Sequence, residues 1–171
     1  MSDLDNLLAA ADVAPPYVLL GASFGGVLAY LYANRHADDV VGLVLLDSMF
    51  PDEMALEERF PPEERFEAFD AEDENESAER ISHYKVMHAA QQHIGDEPSV
   101  PLVYLASEQE PFEAPHVPGY NEEIYQLLER FVDRFEPGEI VWVDAPHFLE
   151  PAAPDEIEAA LRQVIASADT E

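Results

Sequence analysis

A serine lies at the centre of a glycine-flanked turn near the start of the chain. The run Gly21-Ala22-Ser23-Phe24-Gly25 has the pattern Gly-x-Ser-x-Gly. It falls between a short apolar strand pattern, residues 17–20, and a stretch of good helix formers, residues 27–35. A serine on so sharp a strand-to-helix turn can present its hydroxyl to a substrate and attack an acyl carbon. The pattern therefore predicts Ser23 as the nucleophile of an acyl-transfer reaction.

The geometry of such a turn makes demands on the neighbours of Ser23. The residues two before and two after it, Gly21 and Gly25, must be very small to avoid a collision. The backbone N–H of Phe24, at the start of the helix, is expected to donate to an oxyanion. The alternative is a structural turn that binds a phosphate or nothing. A Walker loop is excluded because no Gly-Lys-Ser/Thr follows, and the spacing of a dinucleotide fingerprint is absent.

Three blocks of sequence resemble the α/β-hydrolase fold family. Residues 17–53 are similar to the family's nucleophile turn and next strand, where a Gly-His-Ser-x-Gly-Gly turn, a helix and a strand ending in Asp recur. The run LVYLASEQEP, residues 102–111, is similar to the family's Gly-Glu-x-Asp-Pro turn, with Ser107 in place of the glycine. The run VWVDAPHFLEPAAP, residues 141–154, is similar to the final strand and its Gly-His-Phe loop.

The resemblance implies a catalytic triad in the order Ser23, Glu110, His147, which is the order of this fold. His147 would take the proton of Ser23, and Glu110 would hold the imidazole in the required tautomer. Two other acids compete for that last role, Asp47 at the end of a strand pattern and Glu108 on the same loop as Glu110. The implied substrate is a small acyl compound, and no cofactor is implied.

The elements that would position these residues follow an alternating order. Residues 40–46, VVGLVLL, form a continuous apolar run typical of a strand buried on both faces, and residues 100–106 and 140–143 repeat it. Helical patterns cover residues 122–135 and a last stretch that opens at Pro154. The sequence predicts an α/β protein, a three-layer sandwich with a mainly parallel sheet, as one domain over residues 1–171. An acidic, cap-like helical insertion is expected at about residues 51–97.

The position of the nucleophile turn distinguishes this chain from complete members of the family. Only about 16 residues precede the strand that leads to Ser23. By resemblance, the first strands and the loop that supplies a second oxyanion donor are expected to be absent, so the Ser23 strand becomes a sheet edge. Two hypotheses remain open. One is a serine hydrolase that cleaves an ester or similar bond, and the other is a catalytically impaired remnant that acts as an interaction module or pairs with a second copy through that edge.

Charge and composition restrict the partners and the compartment. There are 37 Asp plus Glu against 8 Lys plus Arg, a net charge of −29, which argues against nucleic acid and membrane surfaces and favours a surface adapted to high salt. The absence of cysteine excludes thiolate chemistry. His83, His88 and His93 are spaced by five, about 140° apart around a helix, so no metal site is expected. No signal peptide or apolar span is apparent, which predicts a cytoplasmic protein.

Overall fold

Helices alternate with strands in a computed structural model of the chain, which describes residues 2–65, 81–109 and 117–168. The helices are α1 (Ser2–Ala10), α2 (Phe24–Arg35), α3 (His83–Gln91), α4 (Tyr120–Val132), α5 (Leu149–Ala152) and α6 (Pro154–Ala168). The strands are β1 (Tyr17–Ala22), β2 (Val40–Leu46), β3 (Leu102–Ser107) and β4 (Gly138–Val143). The alternation is the one that the apolar runs predict.

The four strands form one parallel sheet in the order β1-β2-β3-β4. Their registers place Gly21 beside Leu45, Leu46 beside Leu105, and Ser107 beside Val143. Because parallel strands run in the same direction, all four carboxyl ends lie at one edge of the sheet. Ligands of open α/β sheets bind outside these carboxyl ends.

Both faces of the sheet are buried, as the continuous apolar run of β2 predicts. Leu43 and Leu45 point into one core, under α2, α3 and α4, while Val44 and Leu46 point into the other, under α6. Each fully buried leucine stabilises the fold by roughly 1.5–3 kcal/mol. The prediction of a three-layer α/β sandwich with a parallel sheet is confirmed.

The strand that leads to Ser23 lies at the edge of this sheet. Among the described strands, β1 pairs with β2 alone. Residues 17–19 are partly exposed and Leu20 is 43% exposed, whereas six of the seven residues of β2 are buried. The edge position is therefore visible in the exposure of the strand as well as in its pairing.

The acidic insertion is only partly described. Three short 3₁₀ turns follow β2, at Pro51–Ala55, Glu57–Arg59 and Pro62–Glu64. The first of them packs against α3 and α4. The helix α3 is capped by Ser82 Oγ, which accepts the Lys85 N–H at 3.1 Å, and residues 66–80 lie outside the described ranges. No helix in those ranges has both the length and the apolar character needed to cross a bilayer.

Candidate active site

Ser23 occupies the turn between β1 and α2 in a strained backbone conformation. Its φ is 49° and its ψ is −124°, a region that non-glycine residues seldom adopt. The Ser23 N–H donates to the Leu46 carbonyl at 3.0 Å, and the Ser23 carbonyl accepts from the Met49 N–H at 3.1 Å. Such strain persists where surrounding structure holds it, and it clusters at functional sites. The end of β2 therefore holds the turn in place.

Close backbone approach explains two of the glycines around Ser23. A Cβ atom on Gly21 would lie 2.6 Å from the Gly25 carbonyl oxygen, and one on Gly26 would lie 1.6 Å from Ser48 Oγ. A Cβ on Gly25 would meet nothing within 4 Å. The expected collision at Gly25 is therefore wrong, and the second position that must be glycine is Gly26, where α2 packs against the loop after β2.

The imidazole of His147 bridges Ser23 and a carboxylate. His147 Nε2 lies 3.2 Å from Ser23 Oγ, and Nδ1 lies 2.7 Å from Asp47 Oδ2. With the ring proton on Nδ1, this nitrogen donates to Asp47 and leaves Nε2 free to accept the Ser23 proton. The three side chains come from the end of β1, the end of β2 and the loop after β4, all at one edge of the sheet.

Asp47 is held tightly at its position. It is 7% exposed and follows β2 with a φ of 38°. Its backbone N–H donates to the Leu105 carbonyl at 2.7 Å, and its Oδ1 accepts the Ser107 N–H at 3.0 Å. Hydrogen bonds on both carboxylate oxygens compensate for the loss of water around the charge. The Asp47 carboxylate is thus oriented before any substrate binds.

The other predicted site residues have different surroundings. Phe24 is the first residue of α2, so its N–H is one of the four that have no partner within the helix. Its side-chain ring lies 4.2 Å from the ring of His83, centroid to centroid. Glu108 is exposed, and its backbone N–H donates to the Val143 carbonyl at 2.9 Å. Glu110 lies outside the described residues.

Glu53 is a carboxyl group near Asp47 that the sequence did not single out. Its Oε1 accepts the Phe50 N–H at 3.0 Å. Burial, together with the charges of Asp47 and Asp52, raises the pKa of Glu53 to about 8. Burial and the Glu53 charge also raise the pKa of Tyr120 to about 12. At neutral pH the Glu53 carboxyl therefore carries a proton. In the sequence it is one of many acids in the run PDEMALEE, with no pattern to separate it from exposed neighbours.

The family of the chain follows from a comparison of its sequence with the sequence profile of a known family. The sequence profile of the alpha/beta hydrolase fold family matches residues 2–94, more than half of the chain. The chain belongs to this family. The matched residues include the nucleophile turn, Asp47 and the described turns of the insertion, so the alpha/beta hydrolase match covers two of the three side chains that meet at the site.

One relative is similar to the chain over part of its length. The uncharacterized protein YqjL of Bacillus subtilis strain 168 is 33% identical over 109 residues, which are 63% of this chain and 41% of YqjL. The chain thus spans about two fifths of the length of that relative.

Solved structures show the same fold. A probable hydrolytic enzyme from Pseudomonas aeruginosa PAO1 aligns with a TM-score of 0.63 and 20% identity, covering 95% of this chain and 67% of its own. A thermophilic esterase from Thermogutta terrifontis aligns with a TM-score of 0.54 and 21% identity, covering 98% and 71%. At these identities the likeness concerns the fold alone.

Proposed function

We propose that the chain carries the active site of a serine hydrolase that cleaves an ester or a similar acyl bond of a small molecule. The observation that carries the proposal is a pair of hydrogen bonds: His147 Nδ1–H donates to Asp47 Oδ2 at 2.7 Å, and His147 Nε2 accepts from the Ser23 hydroxyl at 3.2 Å. Ser23 is the nucleophile, His147 the general base and acid, and Asp47 the orienting carboxylate. The proposal takes Asp47 rather than Glu110 because the Asp47 carboxylate lies at Nδ1.

Each group has one role in the reaction. Ser23 Oγ attacks the acyl carbon while His147 Nε2 takes its proton, and the carbonyl oxygen becomes an oxyanion beside the Phe24 N–H. When the bond to the leaving alcohol breaks, His147 returns the proton to the alcohol oxygen, which leaves an acyl group on Ser23. Water then attacks the acyl carbon with His147 again as base, and the acid departs as Ser23 regains its proton.

The site carries the proposal of an acyl substrate, and one neighbour is consistent with it. The fold hosts many chemistries, so the proposal rests on the site rather than on likeness to other chains. The esterase from Thermogutta terrifontis carries this fold, which is consistent with an ester as the substrate class.

A labelling experiment tests the proposal directly. A fluorophosphonate probe forms a bond only with an activated serine, so in molar KCl it is expected to label Ser23, located by peptide mass analysis. Ser23→Ala should lose both the label and the hydrolysis of p-nitrophenyl butyrate. Ser99→Ala, which removes an exposed serine hydroxyl, is the matched control and should retain both. A folded wild-type chain with neither label nor hydrolysis would overturn the proposed function.

A second candidate function comes from the exposed edge of the sheet. β1 pairs with a strand on one side only among the described strands, and Leu20 at this edge is 43% exposed. Unpaired strand edges are templates for pairing with another chain. The candidate is an interaction module in which β1 pairs with β1 of a second copy.

A further inference from the structure

Ser107, the last residue of β3, makes hydrogen bonds to two parts of the site, to Asp47 and to the loop that carries His147. Its backbone N–H donates to Asp47 Oδ1 at 3.0 Å, and its hydroxyl donates to the Ala145 carbonyl at 2.7 Å. We propose that Ser107 is a positioning residue of this site, which fixes the carboxylate through its backbone and the His147 loop through its side chain. The inference rests on the proposed function and names a residue that sets the geometry of the same site.

The hydroxyl of Ser107 is a buried anchor for the loop that carries His147. Ser107 is 2% exposed and Ala145 is 3% exposed, so this hydrogen bond forms away from bulk water. Ala145 lies two residues before His147 in the chain. A buried carbonyl that loses its donor is costly, so the backbone is expected to move toward another partner. The position of the imidazole therefore depends on the Ser107 hydroxyl.

Other contacts hold this loop from its surface side. Gln109 Nε2 lies 3.0 Å from Asp144 Oδ1, at an exposed position. Phe148, next to His147, is 70% exposed, and its ring meets the His147 ring edge-to-face at 5.2 Å between centroids. Exposed polar contacts of this kind stabilise weakly. Asp47 holds the imidazole itself, and the buried Ser107 hydrogen bond is therefore the side-chain contact expected to restrain the loop before His147 most.

The anchor uses the side chain of Ser107, whereas the contact with Asp47 uses its backbone. The resemblance to the family places a glycine where this chain has Ser107, and a glycine has no hydroxyl to donate. A glycine would retain the backbone hydrogen bond to Asp47 and lose the one to Ala145. The two contacts of Ser107 can therefore be separated by a side-chain substitution that leaves the backbone N–H in place.

The test compares Ser107→Ala with Ser167→Ala. The Ser167 hydroxyl also donates to a backbone carbonyl, that of Gln163 at 3.0 Å, and it lies on α6 away from the site, so it controls for the loss of such a hydroxyl. With p-nitrophenyl butyrate as substrate, Ser107→Ala is expected to lower kcat about 10- to 100-fold while KM changes less than about twofold, because the reacting atoms are misplaced. Ser167→Ala is expected to keep kcat within about twofold.

Proton NMR tests the same Ser107 hydrogen bond without catalytic turnover. The His147 Nδ1–H proton, bonded to Asp47, gives a downfield proton resonance that His147→Gln identifies by its loss. Ser107→Ala is expected to speed exchange of this proton with water at least about tenfold, since the loop opens more often. An unchanged exchange rate with an unchanged kcat in the folded variant would overturn the inference. Failure of the wild-type chain to label or turn over concerns only the proposed function.

A second variant covers the case in which Ser107→Ala fails to fold. Ser107→Cys keeps nearly the same volume, but a thiol is a weak donor. The chain has no other cysteine, so no disulfide complicates the measurement. The inference expects Ser107→Cys to show the same loss of kcat and faster Nδ1–H exchange, and wild-type values for both would count against it.

Discussion

At the scale of single residues, the site depends on which carboxylate orients His147. The resemblance in sequence favours Glu110, on the loop after β3, and leaves Asp47 and Glu108 as alternatives. The described geometry gives Nδ1 of His147 a carboxylate from the end of β2, at Asp47. Because Asp47 is buried and bonded through both of its oxygens, its position is fixed by the sheet rather than by a surface loop.

Substitution of the two acids tests this assignment. Asp47→Asn is expected to lower kcat about 10³- to 10⁴-fold, because the amide favours the imidazole tautomer with its proton on Nε2. Glu110→Gln is the matched control and should keep kcat within about threefold. The measurement is kcat for p-nitrophenyl butyrate in molar KCl, with folding checked by circular dichroism. The opposite result, a severe loss for Glu110→Gln and a mild one for Asp47→Asn, would assign the role to Glu110.

Glu53 makes the stability of the chain depend on pH. Its pKa in the folded protein, about 8, lies above the ordinary value of 4.5. Between these values the folded chain holds a proton that the unfolded chain has released, so this carboxyl lowers the free energy of unfolding as pH rises from about 5 to about 8. Glu53→Gln, whose side chain cannot ionise, is expected to remove this decrease in the free energy of unfolding.

Urea unfolding at pH 5 and pH 8 measures the effect. At pH 8 Glu53→Gln is expected to be more stable than wild type by about 2–4 kcal/mol, at about 1.4 kcal/mol per pKa unit. At pH 5 the difference should be small. Glu58→Gln, which removes an exposed acid from the same segment, should change little at either pH. Equal behaviour of the two variants would show that the Glu53 carboxyl is ionised in the folded chain.

At the scale of elements, close contact between β1 and α2 decides which substitutions the nucleophile turn tolerates. Gly21→Ala would place a methyl group 2.6 Å from backbone atoms of Gly25 and Gly26, which cannot move without shifting the helix. A loss of about 1–3 kcal/mol in unfolding free energy and a large fall in kcat are expected.

Gly25→Ala supplies the matched substitution at the same spacing on the other side of Ser23. With no atom within 4 Å of the added Cβ, it is expected to be neutral or to stabilise the start of α2 by up to about 1 kcal/mol. Thermal unfolding and kcat of both variants measure the contrast. Equal losses at Gly21 and Gly25 would contradict the packing described for the turn.

The elements were predictable from the sequence where a local pattern fixes them. The bounds of β2, Val40–Leu46, follow from an apolar run that is buried on both faces. β3 begins at Leu102 instead of residue 100, and Pro101, which precedes it, has no N–H for the sheet. The raised pKa of Glu53 was not predictable, because it results from the packing of the turn Pro51–Ala55 against α3 and α4. Which carboxylate contacts His147 likewise depends on the order of the strands in the sheet, which a local sequence pattern does not give.

At the scale of the whole molecule, the net charge disfavours the self-association that the exposed edge of the sheet favours. A chain with a net charge of −29 repels a second copy of itself, most strongly at low ionic strength. Salt shortens the screening length from about 10 Å at 0.1 M to about 3 Å at 1 M. If β1 pairs with β1 of a second copy, the stabilisation from its backbone hydrogen bonds exceeds the electrostatic repulsion only when the salt concentration is high.

Association of the chain is therefore expected to increase with KCl. Sedimentation velocity at 0.1 M and 2 M KCl should show mainly monomer at the lower concentration and a growing dimer fraction at the higher one. Leu20→Lys adds a charge to the exposed edge of β1, which is how natural edge strands avoid pairing, and should keep the chain monomeric in 2 M KCl. Leu7→Lys is the control, since Leu7 is 63% exposed on α1, and should leave the dimer fraction near that of wild type. A wild-type chain that stays monomeric in 2 M KCl while Ser23 is labelled would favour hydrolysis and reject the edge-pairing module.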